Sequence, residues 1–172
     1  MSKTIILETE RLSLREFTLQ DTEFIITLVN TPSWIEFIGE RNVKTTQDAQ
    51  KFITESLIKS YTNHGYGLWL VALKDTQNPI GMCGLVNRDT LEDIDIGFAL
   101  LPEYAGKGYG FEMASATLKH AKHTLKINKV IAITDPKNGA SIALLHKIGL
   151  HYEKTMQLSD YDTVLLFSPV EK

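Results

Sequence analysis

Three alternating glycines within five residues constrain this chain more than any other feature of its sequence. Gly106, Gly108 and Gly110 follow a strand-like run over 93–101 that Pro102 closes, and they precede a helical pattern. Because glycine has no Cβ, such positions adopt positive φ and let a ligand approach the backbone. A helix that begins here presents unpaired N–H groups and the positive end of its dipole. The sequence therefore predicts a cradle for phosphate or pyrophosphate.

Other interpretations of this loop compete with the cradle. A glycine-rich turn without a ligand stays open as an alternative, although most turns need only one or two glycines. A P-loop requires a glycine five residues before its Gly-Lys pair and Ser or Thr after it, whereas this chain has Leu101 and Gly108 there. A dinucleotide-binding fingerprint needs a third glycine at the position that Phe111 occupies. Asp135, at the end of the next predicted strand, does match the acidic residue that binds the ribose in that fingerprint. One crossover in the element order cannot build the doubly wound sheet of that fingerprint.

The order of the predicted elements indicates a mixed α+β fold. Thr18 with Asp21, and Thr45 with Asp48, mark the starts of two helices between the first and second strands. The next three strands have connections too short for crossovers, so they form an antiparallel meander. We expect a mostly antiparallel sheet of seven strands flanked by helices, with a parallel crossover only in the second half. The predicted strands lie near 12–16, 68–73, 80–86, 93–101, 129–134, 150–158 and 164–167.

Length, charge and cysteine content restrict the class of protein. A chain of 172 residues suggests one domain over 1–172. The 18 Lys and Arg residues against 21 Asp and Glu residues give a net charge of −3, which argues against nucleic acid as a partner. The single cysteine, Cys83, fits a reducing compartment. No apolar stretch has the length of a signal peptide or a membrane span, so we expect a cytoplasmic protein with no membrane partner.

Four stretches of the chain, in order, resemble the GNAT superfamily of acetyl-CoA-dependent N-acetyltransferases. Ala105–Gly110 is similar to motif A of that family, and 95–104 resembles the strand that leads into it. Residues 138–150 resemble motif B, and 7–15 resemble the opening of the RimJ/RimL-like branch, which acetylates protein N-termini and some other amines. The resemblance implies a GNAT-like fold, acetyl-CoA as cosubstrate with no metal, and a small molecule or a protein N-terminus as the amine. By analogy it also implies a monomer or a homodimer.

Two positions depart from the pattern of the family. Ala105 stands where motif A begins with Gln or Arg, a loss that backbone amides can compensate. Leu145 stands where many relatives carry the tyrosine that protonates the departing thiolate. Leucine has no proton to give, so another group must supply this proton. The departure also keeps open an alternative function, a CoA-binding regulatory module without catalysis.

The resemblance further implies which residues bind the cosubstrate. Phe98, Ala99 and Leu100 would bind the pantetheine arm as an added strand binds. Asn138 would bond the pantetheine amide, and it would also serve as the N-cap of the helix that follows. The pyrophosphate would be held by Gly106, Lys107, Gly108, Tyr109 and Gly110.

Two residues are candidates for the proton transfers that acetylation of an amine needs. Relatives often carry an acid on the fourth strand, where Asp95 precedes Gly97 by two residues, and a partly buried carboxylate there would have a pKa suited to a base. A surface acid of the 89–95 hairpin is the alternative. Ser141 lies three residues after Asn138 on the same helical face and is the candidate acid. Water, Tyr104 and Tyr109 are the alternative proton donors, and a plain surface serine is the alternative without a catalytic role.

The apolar turn around Trp34 and Phe37 is the candidate acceptor site by resemblance to the family. A hydrophobic core turn would have the same composition, because aromatic residues are mostly buried for packing. Glu36 between them is an alternative base, or a group that binds a cationic substrate. His120 and His123 have the spacing of a metal pair, but lysines surround them, which favours a solvated helix face.

Overall fold

Within residues 3–171, which the computed structural model describes, eight strands form one sheet. They are β1 (Ile5–Glu8), β2 (Leu12–Arg15), β3 (Leu68–Leu73), β4 (Pro79–Val86), β5 (Ile94–Leu100), β6 (Val130–Thr134), β7 (Leu150–Gln157) and β8 (Thr163–Pro169). The order across the sheet is β1-β2-β3-β4-β5-β6-β8-β7. The expected count of seven is one too few because β1 has only four residues and no alternating exposure. Pairing with β2 makes it a strand, and its own pattern carries no such signal.

The sheet is antiparallel except between β5 and β6, which confirms the mixed α+β class. These two strands pair over two residues only, Ile94 with Val130 and Asp95 with Ile131. Beyond Asp95 they diverge, so β5 has no strand partner on this side over 96–100 within the described chain. A wedge-shaped gap therefore opens in the middle of the sheet. Its edge carries free backbone groups of the kind that bind an extended ligand.

Helices cover both faces of the sheet. Within residues 3–171 they are α1 (Thr22–Val29), α2 (Pro32–Phe37), α3 (Thr46–Phe52), α4 (Lys59–His64), α5 (Tyr109–His123) and α6 (Gly139–Lys147). A π-helical segment, Ile53–Ile58, joins α3 to α4. α5 packs against β2, β4 and β5, whereas α6 packs against β6 and β7. Because α5 follows β5 and α6 follows β6, both helices begin beside the gap.

The helix starts confirm two capping signals of the sequence. The Thr45 hydroxyl accepts a hydrogen bond from the Asp48 N–H, and the Asp48 carboxylate accepts one from the Thr45 N–H. Thr18 and Asp21 form the same reciprocal pair at the 3₁₀ turn before α1. α2 is a helix where the sequence predicts only a short turn. It begins at Pro32, where the missing N–H would have had no helical partner.

Apolar layers lie on both faces of the central strands. On β3, Trp69 and Val71 pack toward α5, whereas Leu70 and Ala72 pack toward α1–α4. Alternate side chains point to opposite faces of a strand, so a strand covered on both faces is apolar at every position. This explains the unbroken run of large apolar residues over 68–73.

A buried ion pair holds the chain where β2 leads toward α1. Arg15 donates from Nη1 to Asp21 Oδ2 at 2.9 Å and from Nη2 to Oδ1 at 2.8 Å. Burial raises the pKa of Asp21, but the bonds from Arg15 and from the Thr18 N–H outweigh it, so this pKa lies below its ordinary value. The stability that the pair contributes is therefore present above about pH 4 and is lost as the pH falls through the lowered pKa.

Replacing Asp21 would leave the Arg15 guanidinium buried without its partner. We expect Asp21→Ala to lower the free energy of unfolding by about 3–5 kcal/mol at pH 7. Asp160→Ala, in the exposed turn after β7, is the control and should change it by less than about 0.5 kcal/mol. Urea unfolding followed by circular dichroism measures both variants. A loss below about 1 kcal/mol for Asp21→Ala would contradict the role of the pair.

Candidate active site

A cleft of about 1220 Å³ runs from the glycine loop, past the gap between β5 and β6, to the first helices. We name its two parts after their walls. The loop half includes Gly106, Gly108, Gly110, Asn138 and Ser141, and the aromatic half includes Thr31, Trp34, Phe37, Arg41 and Arg88. Residues 95–100 of β5 line the cleft between the two halves. The structure thus brings the glycine loop and the aromatic turn to one continuous surface.

The glycine loop presents six consecutive free amides. Within the described chain, the N–H groups of residues 106–111 donate no hydrogen bond, and the first helical bond of α5 starts at the Glu112 N–H. Gly106 (φ 74°) and Gly108 (φ 85°) adopt left-handed conformations that turn these amides outward. Gly108 is also the N-cap of α5, so the positive end of the helix dipole adds to the donors. The arrangement has the geometry of an anion cradle.

Arg11 supports this loop from the other end of the chain. Its Nη1 donates to the Lys107 carbonyl at 3.1 Å, and its Nε donates to Glu112 Oε2 at 2.7 Å. The guanidinium also lies over the Tyr109 ring, 4.3 Å from the centroid. The sequence analysis missed Arg11 as a site residue because about a hundred positions separate it from the loop, and no local pattern records such a contact.

The end of β5 and the start of α6 face each other across the loop half. Phe98, Ala99 and Leu100 line the cleft along the unpaired edge of β5, as expected. Asn138 Oδ1 accepts a hydrogen bond from the Ser141 N–H at 3.2 Å, which makes Asn138 the N-cap of α6. Its Nδ2 makes no hydrogen bond in the described chain and stays available to a ligand. The capping role and the binding role are therefore compatible.

Asp95 lies at the bottom of the cleft, where β5 and β6 separate. It is 1% exposed, and the Arg88 Nε donates to its Oδ2 at 3.3 Å. Oδ1 is buried and accepts no hydrogen bond within residues 3–171. Burial raises the pKa of Asp95 to about 6, although the charge and the hydrogen bond of Arg88 lower it. The same Arg88 Nε lies 3.3 Å from Oδ1 in the ion pair. This carboxylate can therefore exchange a proton near neutral pH.

The other predicted site residues fall into two groups. Ser141, Trp34 and Phe37 line the cleft, and Ser141 Oγ makes no hydrogen bond within the described chain. Glu36 is exposed and lies outside the cleft lining, so the structure does not bring it to the others. Lys107 and Tyr109 also have side chains outside the lining: the Lys107 Nζ lies 5.8 Å from the centroid of the Tyr104 ring. Their backbone amides belong to the cradle. Leu145 is fully buried in the core.

Cys83 is not part of the cleft lining, and neither are His120, His123, His146 and His151. His64, the last residue of α4, does line the cleft. Burial raises the pKa of Cys83 to about 12, and its Sγ lies 3.3 Å from Thr117 Oγ1, so this thiol is inert. His120 packs edge-on against Trp69 with ring centroids 5.6 Å apart. Within residues 3–171, no three or more His, Cys, Asp or Glu side chains are grouped to hold a metal ion. No helix in the same range has the length and apolarity needed to cross a membrane.

Comparison with known proteins identifies relatives of this chain. The family model of the acetyltransferase (GNAT) domain matches residues 11–151. The uncharacterized N-acetyltransferase YoaA of Bacillus subtilis is 27% identical over 153 residues, which cover 88% of this chain and 86% of that protein. YkkB of the same organism is 34% identical over 96 residues, 55% of this chain. This alignment spans little more than half of YkkB, 56% of its length.

Solved structures with low sequence identity share the fold. The RimL ribosomal L7/L12 alpha-N-protein acetyltransferase is similar with a TM-score of 0.81 at 16% identity, over 99% of this chain and 96% of that chain. A chimera of the spermidine N-acetyltransferase SpeG from Vibrio cholerae and hSSAT gives a TM-score of 0.74 at 17% identity, over 92% and 95% of the two chains.

Asp95 should couple the stability of the fold to pH. Its pKa of about 6 lies above the ordinary 3.8, so stability falls as the pH rises between these values and stays reduced above them. The full reduction is about 3 kcal/mol. Asp95→Asn cannot ionise, so its stability relative to the wild type should rise by about 3 kcal/mol between about pH 4 and pH 7.5. Urea unfolding at several pH values measures the difference, and a constant difference would refute the raised pKa.

Proposed function

This chain belongs to the GNAT acetyltransferase family, and we propose that it transfers an acetyl group from acetyl-CoA directly to a primary amine. The observation that carries the proposal is the run of free amides over 106–111 beside the unpaired edge of β5. The free amides offer hydrogen-bond donors for a diphosphate, and the unpaired edge of β5 offers backbone groups that can pair with an extended, amide-bearing arm. The residues present therefore fit CoA, whose thioester supplies the acetyl group. In this proposal residues 1–172 form one acetyltransferase domain.

Backbone groups carry most of the cosubstrate binding that we propose. The amides of Gly106, Lys107, Gly108, Tyr109 and Gly110 hold the diphosphate, and Arg11 keeps their loop in place. Phe98, Ala99 and Leu100 pair with the pantetheine arm through the open edge of β5, and Asn138 Nδ2 bonds an amide of that arm. A free N–H on this edge also polarises the thioester carbonyl. This chain has Ala105 where the family has Gln or Arg. The six free amides of residues 106–111 would bind the negative charge of the diphosphate in place of that side chain.

Asp95 accepts the proton that the amine must lose. As the nitrogen–carbon bond forms and the carbon–sulfur bond breaks, this proton passes to the carboxylate of Asp95, directly or through water. The pKa of about 6 keeps the carboxylate ionised at pH 7, and burial makes it a stronger base than an exposed aspartate. Arg88 holds the carboxylate through its Nε, which donates to Oδ2 at 3.3 Å and lies 3.3 Å from Oδ1 as well.

Ser141 is the proposed donor for the departing thiolate. Its hydroxyl lines the cleft and makes no hydrogen bond elsewhere in the described chain. Its position beside Asn138, at the start of α6, lies next to the proposed path of the pantetheine arm. Serine is a weak acid, so water at this position would serve the same role. Leu145 cannot, because its hydrocarbon side chain has no acidic proton, and it is buried in the core.

The acceptor is a primary amine that enters through the aromatic half of the cleft, where Trp34 and Phe37 form the wall. A protein N-terminus and a small amine are the two classes we consider. The names of RimL and of SpeG refer to acceptors of these two classes. We keep the cytoplasm as the proposed location because a lone free thiol, Cys83, suits a reducing compartment.

The test of this proposal is release of CoA thiol from acetyl-CoA in the presence of small amines and N-terminal peptides. We expect micromolar binding of acetyl-CoA by calorimetry and amine-dependent thiol release. Absence of binding at high micromolar acetyl-CoA would remove the proposal. Tight CoA binding without turnover across the whole amine panel would favour the alternative, a CoA-binding regulatory module, which the buried Leu145 in place of a tyrosine motivates.

Gly108→Val should abolish CoA binding without unfolding the chain. A β-branched residue at φ 85° is strained, and its Cβ would meet Arg11 Nη2 at 3.2 Å, so the loop must change shape. Gly65→Val is the matched control because Gly65 also has a positive φ of 77° but ends α4 and is not part of the cleft lining. We expect loss of binding in calorimetry for the first variant only, with both circular dichroism spectra unchanged. Equal CoA affinities for the two variants would contradict the assignment of the glycine loop as the anion cradle.

Asp95→Asn should lower kcat by about 10²–10⁴-fold at neutral pH, the usual contribution of a general base. In the wild type, kcat should fall as the pH drops through about 6, because Asp95 becomes protonated, and this limb should vanish in the variant. Asp93→Asn is the control: Asp93 precedes β5 and pairs with Lys129 at 3.4 Å, outside the cleft lining. Activity within threefold of the wild type for Asp95→Asn would assign the base elsewhere.

A further inference from the structure

Two arginines lie in the aromatic half of the cleft, and most of their hydrogen-bond donors have no role in the proposed chemistry. Arg41 belongs to the segment between α2 and α3, and Arg88 follows β4, yet both line the same cavity. Arg88 bonds Asp95 through Nε only, so its two Nη groups make no hydrogen bond within residues 3–171. The guanidinium of Arg41 makes neither a hydrogen bond nor an ion pair in the same range. Nearly all the donors of two guanidinium groups are therefore unused.

The positive charges of Arg41 and Arg88 repel each other across this half of the cleft. Arg41 is exposed to solvent, but burial of part of its side chain lowers its pKa, and the charge of Arg88 lowers it further. The cleft also contains Glu55 and Asp89, but within residues 3–171 neither forms an ion pair with Arg41 or Arg88. Two like charges that share a partly desolvated site repel each other, and an anion between them would remove the repulsion.

The indole N–H of Trp34 is a further hydrogen-bond donor without a partner in this half of the cleft. Its side chain is 5% exposed and lines the same half of the cleft, and its Nε1–H is buried without a hydrogen-bond partner. A buried indole N–H usually has a partner, because burying a donor without one is costly. Arg41, Arg88 and Trp34 offer donors only. A ligand that satisfies all three must bring acceptor oxygens, and a negative charge fits the two cations.

We propose that this cluster, Arg41, Arg88 and Trp34, binds a carboxylate of the acceptor, so that the substrate is a small molecule with both a primary amine and a carboxylate. The inference rests on the proposed acetyl transfer and specifies its acceptor. Arg88 contacts Asp95, so a group bound to the Nη atoms of Arg88 lies a few bonds from an amine at Asp95. In an amino acid, the amine and the carboxylate are separated by a comparably small number of bonds. A polyamine, which is cationic along its whole length, would be repelled by both arginines.

Product binding tests the proposal without requiring turnover. The probes are N-acetylglycine and N-acetyl-leucine, each compared with its uncharged amide, titrated by calorimetry into the full-length protein in the presence of CoA. We expect each acid to bind at least about 10-fold more tightly than its amide, because bonds between charged groups are the stronger ones. Arg41→Gln should reduce this ratio to less than about threefold while CoA affinity stays unchanged. Lys51→Gln, on the exposed face of α3, controls for net charge and should keep the full ratio.

Three outcomes would overturn the carboxylate proposal, and a fourth would overturn only the transferase function. Equal binding of acid and amide, or no binding of the acids at 10 mM or below, removes the carboxylate site. Tighter binding of spermidine than of either acid assigns the cleft to cations. Binding of a short peptide with an acidic second residue, but of neither N-acetylated amino acid, assigns it to protein N-termini. If the acids bind with the expected ratio and acetyl-CoA transfers to no amine, the carboxylate site stands and the proposed transferase function fails.

Discussion

The early separation of β5 and β6 is the structural constraint on which the site depends. Parallel pairing over two residues holds the sheet together at Ile94 and Asp95 and then stops. Had it continued, the edge of β5 over 96–100 would be occupied by the neighbouring strand, and no extended ligand could pair with it. The same divergence leaves room at the carboxyl ends of both strands, where α5 and α6 begin. Open sheets of this kind bind ligands at such a point, because helix N-termini and free strand ends meet there.

Asp95 shows how the gap between β5 and β6 places an ionisable side chain in the cleft. The last paired residue of β5 is necessarily close to the bottom of the wedge, so its side chain is buried and yet reaches the cleft. Burial and Arg88 act on its pKa in opposite directions, and burial prevails. Arg88 also belongs to the set of unused donors in the aromatic half. One arginine therefore links the group that would take a proton to the surface that would select the acceptor.

Much of the fold could be predicted where the controlling interactions are local. The capping boxes at Thr18 and Thr45 and the meander of β3, β4 and β5 depend on near neighbours in the chain, and the structure confirms them. Features that depend on distant partners could not be predicted. β1 is a strand only because β2 lies beside it, and Arg11 reaches the glycine loop across about a hundred residues. Glu36 shows the converse limit, since being a neighbour of Trp34 in sequence did not put it in the cleft.

By itself the sequence determined the glycine loop, the alternation of strands and helices, and the resemblance from which family membership was first inferred. These follow from backbone freedom, hydrophobic period and residue spacing, which are properties of a short stretch of chain. Only the tertiary structure decided the state of each side chain at the site. It buried Asp95 and Leu145, left Oδ1 of Asp95 and Nε1 of Trp34 without hydrogen-bond partners, and lined one cleft with both Arg41 and Arg88. Burial and charge depend on atoms that are close in space but remote in sequence, so no local pattern could encode them.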